Sequence, residues 1–150
     1  MTKIYTEELE TTLSQEFTLS GNERRQVSAI RPWVLMFNVP AGTFTFSLKS
    51  GSDILAQVSF TSADIQSDLS TSDTYGYIYK RLVFDNIIPL EAGTYTIEMS
   101  SSGYTFSESS FIGWGRRTEN LFYEVSGQLA DDSTYPLAFE LWEQKRAIYG

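Results

Sequence analysis

Apolar and polar residues alternate along most of this chain, and the alternation marks out a series of short strands. In residues 42–49, Phe44, Phe46 and Leu48 fall in one phase and Thr43, Thr45, Ser47 and Lys49 in the other, the pattern of a strand with one buried face. Residues 54–60 repeat it with Ile54, Ala56, Val58 and Phe60. The intervening Lys49-Ser50-Gly51-Ser52-Asp53 is turn chemistry of hairpin length. The same reasoning predicts strands over residues 13–19, 81–88, 94–99, 121–125 and 137–141, with Leu13, Phe17 and Leu19, then Tyr95, Ile97 and Met99, then Leu137, Phe139 and Leu141 turned inward.

Residues 33–39 differ, because Trp33, Leu35, Phe37 and Val39 are apolar and so are Val34 and Met36. A strand apolar on both sides is expected deep in the fold, covered on both faces, with Trp33 in the core. One helix is predicted, over residues 62–69: Ser62 as cap, Asp64 in the first turn, and Ile65 and Leu69 on one face. About eight strands at intervals of ten to fifteen residues point to an all-β, antiparallel β-sandwich of jelly-roll type with this one short helix. At 150 residues the chain is long enough for one core, so residues 1–150 are read as a single domain.

Composition narrows the chemistry. There is no cysteine and no histidine, which removes disulfides, thiol nucleophiles, Cys/His zinc sites and imidazole-dependent triads. A two-carboxylate glycosidase is the enzyme this vocabulary still permits. Its candidate pairs, Glu16 with Glu140 or Asp85 with Glu98, sit in polar strand phases, where solvated surface carboxylates are the ordinary explanation. Asp131-Asp132-Ser133-Thr134 offers oxygens to calcium but lacks EF-hand spacing, and such clusters are common turn formers. No metal and no cofactor is assigned, and the chain is read as non-enzymatic.

Eleven basic against nineteen acidic residues give a formal net charge of -8, which repels polyanions, so nucleic acid is not an expected partner. The longest uncharged apolar run, residues 33–39, is too short to span a bilayer, and the first ten residues lack a signal-peptide stretch. No membrane partner is expected, and the product is expected to remain in the cytoplasm where it is made. It begins at Met1 and reads as a whole gene product.

Four places carry candidate binding residues. In Phe111-Ile112-Gly113-Trp114-Gly115-Arg116-Arg117, Trp114 lies between glycines beside two arginines. It either presents a ring for stacking on a glycan, with Arg116 or Arg117 hydrogen-bonding the sugar, or packs into the core at a strand bend. Tyr75 and Tyr77 share a phase with Tyr79 and suit an exposed aromatic strip or ordinary packing. Trp142 is out of phase with Leu137, Phe139 and Leu141, so it faces the other side of its strand, towards another chain or a loop. Finally, residues 1–10 and 144–150 are candidate docking arms, the second because Ile148 and Tyr149 are costly to leave exposed at a chain end.

GTFTFSLKSGSDILAQVSFTSADI, RLVFDNIIPLEAGTYTIEMSSSGYTFSESSFIGW and PLAFELWE together resemble the carbohydrate-binding-module-like jelly-roll domains of tailed-bacteriophage virion proteins. The likeness spans about two-thirds of the chain, and its most specific part is residues 92–114. It implies a virion component assembled in the host cytoplasm: a capsid decoration, head-fibre or tail accessory protein. Partners would be other virion proteins and copies of itself, a homo-oligomer with a trimer among the expected states. The alternative implied is a carbohydrate-binding module adhering to host-surface glycans. The resemblance carries no catalytic motif.

Overall fold

The computed structural model describes residues 6–21, 24–66, 75–115, 137, 139–143 and 146–149; for Thr6, Glu7, Gln66, residues 75–79, Arg146, Ala147 and Tyr149 the description is of the backbone. In chain order the elements are β1 (Thr6–Glu8), β2 (Leu13–Leu19), β3 (Arg25–Phe37), β4 (Thr43–Ser50), β5 (Asp53–Thr61), α1 (Ser62–Gln66), β6 (Tyr75–Tyr79), β7 (Leu82–Leu90), β8 (Gly93–Ser102), β9 (Phe111–Gly115), β10 (Phe139–Glu143) and β11 (Arg146–Tyr149). The chain is an all-β sandwich of two antiparallel sheets, as the alternation predicts.

The smaller sheet has the order β2-β8-β4-β5. Its β4–β5 hairpin closes with Ser50 opposite Asp53, and Gly51, at φ +61°, is the first central residue. A positive φ there is the mark of a type II′ turn, which favours glycine because it has no Cβ to clash. The expected inward residues Phe44, Phe46 and Leu48 are fully buried. The outer face of this sheet is hydroxyl-rich, with Thr18 paired to Thr94 at 3.2 Å and Thr45 to Ser59 at 2.8 Å.

The larger sheet is organised around β3. On one side β6 pairs with residues 33–37 of β3 and β7 with residues 25–30; on the other, β9 pairs with residues 34–37 and β10 with residues 29–32. β1 flanks β9, and β11 flanks β10. The gap between β6 and β7 falls opposite Arg31 and Pro32, and proline has no N–H to give a ladder. Opposite Ser28, β7 carries four residues (84, 85, 86 and 87) between the pairs Val27↔Ile88 and Ala29↔Val83. This bulge swings β7 towards β5, where Asp85 accepts the Gln57 backbone N–H at 3.0 Å. The edge of the smaller sheet is thereby partly capped against strand pairing.

The core lies between the sheets, and aromatic rings cross it. Trp114 meets Phe46 edge-on at 5.1 Å, and Phe139 meets Phe17 edge-on at 5.5 Å. Edge-to-face contacts satisfy the ring quadrupoles as well as filling volume.

Several expectations shift. Strand β3 ends at Phe37, and Val39 lies outside it in a left-handed turn, 40% exposed. Asn38 starts that turn because its side chain tolerates a positive φ (+58°) and donates to Ser109 O at 2.6 Å. The helix is described only as far as Gln66, with residues 67–69 outside the described residues. Its cap is Thr61, one residue before Ser62: the Asp64 carboxylate accepts the Thr61 N–H at 2.8 Å, one half of a capping box. Ser62 instead donates to Pro40 O at 2.6 Å, pinning the helix to the β3–β4 turn. The strand expected over residues 121–125 lies outside the described residues.

Candidate functional site

Because β3 passes through the bulge at Ser28, its phases divide cleanly beyond it. Ile30, Val34 and Met36 point into the core, while Ala29, Arg31, Trp33, Leu35 and Phe37 belong to the outer face of the larger sheet. Trp33 is therefore half-buried on the outside and not in the core, a correction to the sequence expectation. Its indole lies on bare backbone: a Cβ at Gly115, the residue opposite, would come 2.8 Å from Trp33 Cε3 and 2.9 Å from Cδ2. A ring lying across a glycine of the next strand covers the backbone that a side chain would otherwise shield.

Continuing along the same face, Arg31 stands opposite Glu140 and Ala29 opposite Trp142. Arg31 Nη1 meets Glu140 Oε1 at 3.2 Å, and the Trp142 indole N–H donates to the same oxygen at 3.0 Å. The Arg81 guanidinium sits 5.4 Å from the centre of the Trp142 ring, a cation–π contact. Ala29, although on this outer face, is only 1% exposed, so it is covered from outside. Towards the other end, Phe37, Phe111 and Phe106 form a chain of ring contacts at 5.5 and 5.8 Å. The outer face of the larger sheet is thus aromatic with an ion pair set into it, whereas that of the smaller sheet is polar.

A second feature lies on the β5–β7 flank, where the two strands run side by side. On these two strands Ile54 of β5 and Val83 and Ile87 of β7 are 54%, 61% and 58% exposed.

The residues singled out from sequence separate in space. Trp114 is 0% exposed, enclosed by Phe46 and Phe139; it fills the core and is not a stacking platform, because its phase on β9 is the inward one. Arg116 and Arg117 lie outside the described residues. Tyr75 and Tyr77 lie on β6 in register with Phe37 and Leu35. Trp142 faces away from the core, as its phase implies, and this chain's own Glu140 and Arg81 contact it. Residues 144–150 are not a free arm where described: β11 pairs with β10, Tyr149 stands opposite Leu141, and Ile148 packs on this chain's own core. The N-terminal arm is likewise tied down from Thr6, since β1 pairs with β9 and buried Leu9 donates its N–H to Ile112 O at 2.9 Å. Leu9 O also accepts the Tyr104 hydroxyl at 2.8 Å.

The carboxylates do not assemble as pairs. Glu16 is on the outer face of the smaller sheet and Glu140 on that of the larger, with the core between them. Asp85 caps the β5 edge, while Glu98 faces Lys49 at 3.5 Å. Among the described residues no cluster of three or more acidic side chains is placed to hold a metal ion, and no helix is long and apolar enough to cross a membrane. Residues 131–134 lie outside the described residues. No protein-family model, curated protein sequence or solved structure matches the chain.

Proposed function

We propose that this chain is a non-enzymatic structural or accessory component of a phage particle, a capsid decoration, head-fibre or tail accessory protein, that works through protein–protein contacts. The observation that carries the contact reading is the β5–β7 flank, where Ile54, Val83 and Ile87 each stand more than half exposed. Aliphatic side chains left this exposed favour burial against a partner surface. The likeness of residues 92–114 to phage virion domains supports placing that partner in a particle, either another copy of this chain or a shell or tail protein.

Light scattering coupled to size exclusion, run over a range of concentrations, tests the self-association arm. An oligomer is expected, a trimer among the possible states, and Val83→Ser combined with Ile87→Ser is expected to shift it towards monomer. A wild-type monomer at every concentration overturns self-assembly through this flank.

A further inference from the structure

We draw no further inference here: the strongest candidate, the apolar surface of β5 and β7 at Ile54, Val83 and Ile87, belongs to the contact surface already described, and nothing in the structure shows what covers it.

Discussion

Replacing Trp114 with alanine separates its two sequence readings, because a core ring and a stacking ring fail in different ways. The side chain is wholly enclosed, meeting Phe46 at 5.1 Å and Phe139 at 6.0 Å. A buried tryptophan removes roughly 150–250 Å² from water, which at about 25 cal/mol/Å² is about 4–6 kcal/mol. Measured losses for such truncations run about 3–5 kcal/mol, because the surrounding core relaxes only partly into the cavity. We expect a loss of about 4 kcal/mol, a large share of the 5–15 kcal/mol typical of a domain. The melting temperature should fall by the order of 10 °C. Urea unfolding followed by far-UV circular dichroism measures it, with the midpoint falling and the slope unchanged. Trp114→Phe, which keeps a ring in the cavity, should lose markedly less. A loss below about 1 kcal/mol for Trp114→Ala would refute the packing argument.

Two further outcomes follow from the same geometry. The Tyr104 hydroxyl donates to Leu9 O and accepts from Ile112 N–H; burial pushes its pKa up, the Ile112 N–H pulls it down, and nearby Glu8 and Glu10 raise it further. With the folded value above the ordinary value of 10.0, the unfolded chain loses this proton first as pH rises. The contribution is therefore full below pH 10, and it is lost as pH climbs from there through the folded pKa. Tyr104→Phe should flatten the decline in stability above pH 10, as read by melting temperature against pH; an unchanged slope would count against the assignment. Val39 is a β-branched residue at φ +45°, a conformation that costs about 1–3 kcal/mol and that asparagine tolerates far better. Val39→Asn should raise stability by about 1 kcal/mol in urea titration, and a loss would show that its side-chain contacts outweigh the strain.

Strand positions and the class of fold follow from sequence because period-two alternation is a local property, visible in Thr43–Ser50 and Leu13–Leu19 without reference to anything distant. Even so, neighbouring signals compete at the ends of elements. Thr61 and Ser62 are both able to cap α1, and only the reach of the Asp64 carboxylate back to the Thr61 N–H decides between them.

The two tryptophans of the larger sheet show where local reading stops. Both Trp33 and Trp114 sit among apolar neighbours, and sequence alone assigns Trp33 to the core and favours the core for Trp114 with glycan stacking as its alternative. The structure puts Trp114 inside and Trp33 outside, in register across neighbouring strands, with Val34 opposite Trp114 and Gly115 against the Trp33 ring. Alternation says that two residues point to opposite faces and cannot say which face is buried, because that depends on which side the second sheet covers. The bulge opposite Ser28 is equally invisible, since it depends on pairing between residues about sixty positions apart. The row of Trp33, Arg31, Glu140 and Trp142 exists only through that register. Ile148 illustrates the same limit from the other direction: an apolar chain end reads as an arm that docks on a neighbouring subunit, yet β11 folds back onto β10 and the chain's own core receives it. Sequence determined the strands, the sandwich and the residue types available for chemistry. Tertiary pairing alone decided which of them share a surface, because long-range register, and not local pattern, sets which faces meet.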